Sequence, residues 1–140
     1  SLVGSEMCIR DRQYIEQTQN DLFADRQLRL MIENGNRQVV GIVDLCSFDP
    51  LHNRAEVGIM VDKSCRRQGI GRNALALLEE HCFRYLGIHQ LFAYIAVENL
   101  PSRRLFAACG YKESAVLKEW AHTFGGGYTD VLVVQKLNLS

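Results

Sequence analysis

Apolar and polar residues alternate along the first half of the 140-residue chain in a pattern that predicts strands. Three segments show this pattern, and turn-forming residues separate them: Gln27–Ile32, Gln38–Phe48 and Arg54–Val61. Because connections this short join neighbouring strands in opposite directions, the pattern predicts three antiparallel strands. Before them, Tyr14–Ala24 carries apolar residues at helical spacing and predicts a short helix.

The second half of the chain changes to helical spacing. Apolar residues at steps of three and four predict a helix that begins near Gly69 and ends at Gly87. The almost wholly apolar segment Leu91–Val97 predicts a strand covered on both faces. Asn99 suits a helix N-cap, and the second helix is expected to end at Gly110.

Two further strands are expected at Tyr111–Leu117 and Thr129–Leu137, joined by the glycine-rich turn His122–Gly127. The apolar run Val131–Val134 in the last strand predicts an edge that serves as an interface between copies of the chain. This order of elements predicts a single mixed α/β domain.

Composition excludes several classes of partner. The chain is 47% hydrophobic, which is enough for one core, and its 16 Lys+Arg residues balance 16 Asp+Glu residues. A zero net charge argues against a general binder of nucleic acid or anionic membranes. The longest apolar run, Leu91–Val97, is far shorter than the roughly 20 residues that span a bilayer. No nucleic-acid or membrane partner is therefore predicted.

The cysteines indicate free thiols and no metal centre. Their number is odd, no pair has C-x-x-C spacing, and the four histidines do not complete a zinc pattern with them. Free thiols are typical of the reducing cytoplasm, which is the predicted location. The cysteines are Cys8, Cys46, Cys65, Cys82 and Cys109.

The first twelve residues are expected to be foreign to the domain. Ser1–Arg12 has neither helical nor strand periodicity, and it resembles the translation of a sequencing adaptor. The predicted domain therefore comprises residues 13–140, and the first elements of the natural protein are expected to be missing.

The segment with the clearest chemistry is a basic loop that leads from the third strand into the long helix. It ends in Arg66-Arg67-Gln68-Gly69-Ile70-Gly71. A helix N-terminus offers unpaired backbone N–H groups, and glycines let a phosphate approach them. Arginines add charge-assisted hydrogen bonds to phosphate oxygens. The loop therefore predicts a diphosphate site.

Two other phosphate motifs match less well. A Walker A loop needs Lys-Ser/Thr after its last glycine, and Arg72-Asn73 follows here. Gly69-x-Gly71-x-x-Ala74 matches a dinucleotide fingerprint, but antiparallel strands precede it and no acidic residue lies about 20 positions on. The alternative to a phosphate site is a purely structural role, in which the glycines ease the start of the helix and the arginines are solvated.

Arg66-x-x-Gly69-x-Gly71 resembles the signature of the GNAT N-acetyltransferases, and the resemblance covers Gln13–Leu137. Within that family the chain looks most similar to the spermidine N-acetyltransferases and the ribosomal-protein N-acetyltransferases. The other segments that carry this likeness are His52-Asn53-Arg54-Ala55-Glu56, Val97-Glu98-Asn99, Leu105-Phe106-x-x-Cys109-Gly110-Tyr111 and Gly127-Tyr128-x-Asp130-Val131. The resemblance implies a twisted, mostly antiparallel sheet flanked by helices, with its N-terminal strand and helix absent here.

The resemblance also implies acetyl-CoA as cosubstrate. Backbone groups of one strand would bond the pantetheine arm where this strand splays from Leu91–Val97. Backbone N–H groups of the basic loop would hold the pyrophosphate, and an asparagine would reach the pantetheine arm. The implied cofactor-binding residues are Ile59, Met60, Val61, Arg66, Arg67, Gln68, Gly69, Ile70, Gly71, Arg72 and Asn99.

The implied reaction is direct attack of an amine on the thioester in a ternary complex. An alkyl-amine with a pKa near about 10.4 must lose a proton first, and Glu56 is the predicted base. Many relatives place a tyrosine where this chain has Phe106, so Ser102 is the predicted second catalytic residue, and Cys109 and Tyr111 are other possible donors. The phenylalanine motivates an alternative, a catalytically weakened module that binds acyl-CoA.

The acceptor is expected to be a polyamine-like small molecule or a protein N-terminus, and the family resemblance implies a homo-oligomer. Carboxylates favour a cationic acceptor, and four lie on candidate pocket elements. Trp120 and Tyr128 are predicted to be packing residues. The four carboxylates are Glu33, Asp44, Glu119 and Asp130.

Overall fold

The computed structural model describes residues 2–3, 22–66 and 69–139. Within these residues, seven strands form one sheet in the order β1-β2-β3-β4-β5-β7-β6. The strands are β1 (Leu2–Val3), β2 (Leu28–Glu33), β3 (Val39–Asp49), β4 (Arg54–Val61), β5 (Gln90–Ala96), β6 (Lys112–His122) and β7 (Tyr128–Leu137). Two helices lie wholly within the described residues: α1 (Ile70–Glu80), which continues into a π-helical turn at His81–Tyr85, and α2 (Leu100–Ala108).

The predicted antiparallel trio is confirmed as β2, β3 and β4, and β4 has the predicted bounds. The Asn34 side chain fixes the first hairpin, because its Oδ1 accepts hydrogen bonds from the backbone N–H groups of Asn36 at 2.9 Å and Gln38 at 3.0 Å. β4 and β5 are parallel, and α1 makes the connection between them. β5, β7 and β6 continue the sheet in antiparallel order.

One face of the sheet carries the core. Alternate strand residues such as Val43, Val57 and Leu91 are buried there, and they pack in one cluster with Leu75 of α1 and Phe106 of α2. The opposite face is more open: Met60 of β4 is 71% exposed and Tyr94 of β5 is 45% exposed. We call this second surface the open face.

Three expectations about packing were wrong. β5 is not covered on both faces, because its buried residues alternate with partly exposed ones. Val131–Val134 does not form an edge, since β7 lies between β5 and β6, and β6 is the edge strand. Trp120 and Tyr128 are not packing residues, for they are 61% and 64% exposed. An apolar sequence alone does not reveal which neighbours a strand receives.

β6 is also longer than predicted, because an irregularity lets it continue past Leu117. Lys118, Glu119 and Trp120 stand opposite Asp130 alone, between the pairs Leu117↔Val131 and Ala121↔Thr129. Glu119 has a left-handed φ of 49° there. Such a bulge interrupts the alternation from which strands are recognised in sequence.

The N-terminal predictions fall mostly outside the described residues. Residues 22–25 are helical, and the rest of the predicted helix Tyr14–Ala24 lies outside them. Leu2–Val3 pairs with Met31 and Ile32 of β2. Because backbone pairing of two residues depends little on side-chain identity, the foreign origin of Ser1–Arg12 stays a prediction.

In the described part of the chain, no helix is long and apolar enough to cross a membrane. The same residues contain no group of three or more His, Cys, Asp or Glu side chains that could hold a metal ion.

Candidate active site

The central feature of the site is a gap between β4 and β5. Their pairing ends at Glu56↔Phe92, although β4 continues to Val61 and β5 to Ala96. The two strands therefore diverge, as expected for Ile59–Val61, and we call the gap the wedge. Along it the facing backbone groups are not taken up by pairing between the two strands, so they remain available to a ligand that carries amides.

The loop at the open end of the wedge is organised by Asp62. Its carboxylate accepts hydrogen bonds from the Ser64 backbone N–H at 3.1 Å and from the Ser64 hydroxyl at 3.0 Å. These hydrogen bonds lower the pKa of Asp62 below its usual range. They stabilise the 3-10 turn Lys63–Cys65, after which the Arg66 Nε donates to the Val61 carbonyl oxygen at 3.4 Å.

The start of α1 has the features of an anion site. Gly69 is the N-cap with a left-handed φ of 75°, and among residues 2–3, 22–66 and 69–139 no side chain caps the helix. No described residue outside the immediate chain neighbours lies within 4 Å of a Cβ added to Gly69, so the described part of the chain leaves this space open. The backbone N–H groups of the first turn, which include those of Ile70, Gly71 and Arg72, lack intrahelical acceptors, as at any helix start.

Gly71 allows α1 to begin close to α2. A Cβ at this position would lie 3.2 Å from the Leu105 Cδ2 and 3.6 Å from the Val61 Cγ2. The predicted loop residues Arg67 and Gln68 lie outside the described residues. Of the remaining loop residues, Arg66 lies at the open end of the wedge and Gly69 lies at the start of α1.

These features fit acetyl-CoA. The wedge offers backbone hydrogen-bonding groups beside an arm that contains amides, and the uncapped start of α1 offers N–H groups to a diphosphate. The open space at Gly69 leaves room for the phosphates. Ile59, Met60 and Val61 line the wedge, and Met60 projects from the open face.

Glu56 lies at the vertex of the wedge. It belongs to the last pair between β4 and β5, and it is half-buried on the open face. Its partner across β3 is Cys46. Burial raises the pKa of the Cys46 thiol, and the neighbouring Glu56 carboxylate raises it further. Glu56 therefore sits where a group bound between the strands would meet an acceptor approaching from the open face.

Ser102 and Asn99 lie at the other end of the wedge. β5 runs four residues beyond Phe92 to Ala96, about 13 Å along the strand, before α2 begins. Asn99 caps α2 as predicted, because its Oδ1 accepts the Ser102 backbone N–H at 3.2 Å. The structure thus does not bring the two predicted catalytic residues, Glu56 and Ser102, together.

The other candidate donors belong to the core. Phe106 is buried with its ring edge-on to Tyr111, 4.9 Å between centroids. Burial, and then the charge of Glu79, raise the pKa of Tyr111 well above its usual value. Cys109 ends α2, where its carbonyl oxygen accepts a hydrogen bond from the Lys136 Nζ at 2.6 Å. Both donors sit at the end of α2 remote from the wedge opening.

Two carboxylates that were expected in an amine pocket have structural partners. The Arg29 guanidinium binds Asp44 through Nε–Oδ1 at 2.8 Å and Nη2–Oδ2 at 3.0 Å. Asp130 accepts the Glu119 backbone N–H at 2.9 Å and the Lys118 Nζ at 3.2 Å. These contacts, the Glu119 hydrogen bond first, lower the pKa of Asp130. Asp130 therefore holds the β6 bulge in place.

Sequence reasoning missed Cys46 and Arg29 as neighbours of the site. Cys46 lies ten positions before Glu56, and Arg29 lies fifteen before Asp44. Only the strand register places each pair side by side. No sequence motif marks such cross-strand pairs.

The model of the acetyltransferase (GNAT) domain family matches residues 8–112. The chain belongs to the GNAT acetyltransferase family. It is 27% identical over 103 residues to a spermidine N(1)-acetyltransferase of Vibrio cholerae, covering 74% of this chain and 59% of that relative. The chain thus spans about three-fifths of the length of this curated relative.

Solved structures agree with the family assignment. A dodecameric structure of spermidine N-acetyltransferase from Vibrio cholerae superposes with a TM-score of 0.77 and 25% identity, covering 90% of this chain and 74% of that chain. Ribosomal-protein-S5-alanine acetyltransferase from Vibrio fischeri has a TM-score of 0.78 at 18% identity and covers 92% and 71%. The second likeness concerns the fold alone.

Proposed function

We propose that this GNAT domain transfers the acetyl group of acetyl-CoA to a primary amine by direct attack in a ternary complex. The acceptor is a small molecule with a primary amine, such as a polyamine, or a protein N-terminus. The observation that carries the proposal is the wedge, which ends at Glu56 on one side and leads to the uncapped start of α1 on the other.

Each part of the wedge has a separate task in this proposal. Backbone groups of Ile59–Val61 bind the pantetheine arm, and Asn99 reaches the same arm. The first turn of α1 binds the pyrophosphate, with Arg66, Arg67, Gln68 and Arg72 around it. The thioester supplies the activated acetyl group. Its placement at the vertex lets a backbone N–H polarise the carbonyl oxygen.

Glu56 is the proposed base. The attacking nitrogen must carry a lone pair, so Glu56 removes a proton from the ammonium, directly or through one water. As nitrogen bonds to the carbonyl carbon, the carbon–sulfur bond breaks, and the second proton that the nitrogen gives up passes through water to the departing thiolate. Ser102, the predicted second catalytic residue, lies at the start of α2, and β5 runs about 13 Å beyond the vertex before that helix begins, so Ser102 is not placed to protonate a sulfur at the vertex and Ser102→Ala should have a weaker effect than Glu56→Gln.

The alternative of a non-catalytic acyl-CoA binder is not favoured. Its motive was Phe106, yet this side chain is buried against Tyr111 and functions as core. The two spermidine N-acetyltransferases to which the chain is similar are both named for acetyl transfer. We further propose that the enzyme works in the cytoplasm, since the four described cysteines are free thiols. A homo-oligomer is proposed from the dodecameric relative.

Steady-state turnover of acetyl-CoA with a panel of primary amines tests the function. Glu56→Gln keeps the size of the side chain but removes the base, so kcat should fall about 100-fold or more while the KM for acetyl-CoA stays within a factor of about three. Ser102→Ala should lower kcat about tenfold or less. Unchanged turnover in Glu56→Gln would remove Glu56 from the mechanism.

A further inference from the structure

A cavity on the opposite side of β4 from the wedge bears on the identity of the acceptor. It has a volume of about 650 Å³ and lies against β2 and β3, with Asp25, Arg29, Asp44 and Cys46 among the described residues that line it. Its lining residue Cys46 pairs with Glu56 of β4, so the cavity extends to the strand next to the proposed base. An acceptor whose amine reaches Glu56 can therefore place the rest of its chain in this cavity.

Arg29 is held in a fixed position within the cavity lining. Asp44 binds its Nε and Nη2 edge through two hydrogen bonds, at 2.8 and 3.0 Å. A guanidinium has five N–H groups, so three remain on Nη1 and Nη2. Within the described part of the chain, no other acceptor takes them. This outer edge has the geometry that binds a carboxylate or a similar oxyanion.

We propose that the acceptor is an amine that also carries an oxyanion, which Arg29 binds in the cavity while the amine lies at Glu56. Asp44 is a positioning residue in this arrangement, because it orients the Arg29 guanidinium and does not touch the acceptor. The inference rests on the proposed function and narrows its acceptor class from primary amines to amino carboxylates and related zwitterions.

The strand register gives the spacing between the two groups. Arg29 pairs with Asp44, which pairs with Gly58, two residues beyond Glu56 on the same face. Two strand spacings of about 5 Å and two residues of about 3.4 Å place the Cα atoms of Arg29 and Glu56 about 12 Å apart. An α-amino acid is too short for this span. The expected acceptors carry the oxyanion several bonds from the amine.

Asp25, which also lines the cavity, favours the opposing hypothesis that the acceptor is a diamine. Its exposed carboxylate would attract a second ammonium, as in a diamine. Asp44 contributes less to such attraction, because Arg29 already neutralises its charge. A diamine in the cavity would also face the Arg29 guanidinium at close range. The two acceptor classes therefore predict opposite orders of preference.

The test compares acceptors of equal chain length: an ω-amino carboxylate, an alkyl monoamine and a diamine. We expect kcat/KM to be about tenfold to a hundredfold higher for the amino carboxylate than for the monoamine, which is the usual worth of a charge-assisted bidentate contact. The preference should be greatest at a chain length that spans from Glu56 to Arg29. A wild-type preference for the diamine would overturn the proposal.

Variants test whether Arg29 causes the preference for the amino carboxylate over the monoamine. Arg29→Gln should abolish the preference for the amino carboxylate over the monoamine, and Asp44→Asn should reduce this preference in part. Arg84→Gln is the matched control, since Arg84 forms an exposed pair with Glu80 at 3.5 Å in the helical turn after α1. A preference that survives Arg29→Gln would contradict the assignment.

A binding measurement separates this inference from the proposed function. Calorimetric titration of the same three acceptors into the protein with bound CoA requires no turnover. If no amine is acetylated, the proposed function fails, but the order of affinities still decides the acceptor class. Tighter binding of the amino carboxylate, lost in Arg29→Gln, supports the inference; equal or weaker binding overturns it.

Discussion

The two helices that follow the wedge strands begin in different ways. α1 follows β4, and its N-cap is Gly69, with no hydrogen bond from a described side chain to the first turn. α2 follows β5, and its N-cap is Asn99, whose side chain accepts the Ser102 N–H, with Pro101 in the first turn. The first-turn N–H groups of α1 thus have no side-chain cap in the described part of the chain, whereas Asn99 caps α2. We call the start of α1 the open start and the start of α2 the closed start.

This difference explains why only one of the two starts is proposed to bind phosphate. Both helices have a positive end at the open side of the wedge. In α2, Asn99 satisfies one N–H group, and Pro101 has no N–H to offer. In α1 the first-turn N–H groups remain for an anion, beside a basic loop. The comparison predicts that changes at α1 act on affinity and that changes at α2 act first on stability.

The largest effect is expected from reversing charge at the open start. Arg66→Glu/Arg67→Glu should weaken acetyl-CoA binding about 100-fold, because repulsion replaces two attractive charges next to the diphosphate. Calorimetric titration measures this change, and the loss should shrink at high salt. Arg84→Glu/Lys112→Glu makes the same charge change at exposed positions away from the loop and should leave affinity within about threefold. Similar losses of acetyl-CoA affinity in both double variants would show that the loop does not bind the diphosphate.

A smaller effect is expected where the start of α1 packs against Leu105 of α2. Gly71→Val would place methyl groups against Leu105 and Val61, which a Cβ alone already approaches to 3.2 and 3.6 Å. Overpacking of this kind costs about 1–3 kcal/mol, so chemical denaturation should show lower stability together with weaker acetyl-CoA binding. Gly35→Ala is the control, since a Cβ there meets nothing within 4 Å. Unaltered affinity in Gly71→Val would mean that the spacing of α1 and α2 does not set the site.

Two variants of Asn99 separate its two proposed roles at the closed start, the N-cap of α2 and the contact with acetyl-CoA. Asn99→Ala should cost about 1 kcal/mol of stability through the lost cap, a Tm decrease of about 3–6 °C, and should also raise the KM for acetyl-CoA. Asn99→Asp keeps a capping oxygen but loses the amide donor, so it should retain the Tm and raise only the KM. If Asn99→Asp lowers neither affinity nor turnover, Asn99 is a cap and nothing more.

The smallest effect is expected beyond the C-terminal end of α1, where protonation of His81 should lower the stability of the fold. His81 is fully buried in the π-helical turn, and burial lowers its pKa below the ordinary value of about 6.5. The unfolded chain therefore takes up a proton first, so the contribution of neutral His81 is complete above about pH 6.5 and is lost as the pH falls below it. The Tm of the wild type should decrease from pH 7.5 to 5.5 by a few degrees more than that of His81→Gln. Parallel curves would rule out this contribution.

The sequence predicted the elements better than it predicted their neighbours. Turn residues and periodicity indicated the meander and both helices, because these signals are local. Asn99 was recognisable as a cap for the same reason. The exposure of Trp120 depended on a bulge that Asp130 holds from the next strand, and no local pattern contains that information.

The same distinction applies to the site. The basic loop and its glycines are contiguous, so the resemblance to the family could be read directly from Arg66, Gly69 and Gly71. The cross-strand relation of Cys46 to Glu56 and the Arg29–Asp44 pair depend on register, which a single sequence does not state. The separation of Glu56 from Ser102 likewise appears only when β5 has been traced to its end.

Calorimetric titration of acetyl-CoA into the purified chain tests the central claim most directly, namely that the wedge and the open start of α1 form one cosubstrate site. The account predicts saturable binding with one molecule per chain and a raised Tm at excess acetyl-CoA. A chain that melts cooperatively, yet shows neither heat of binding nor a shift in Tm with acetyl-CoA, would contradict it.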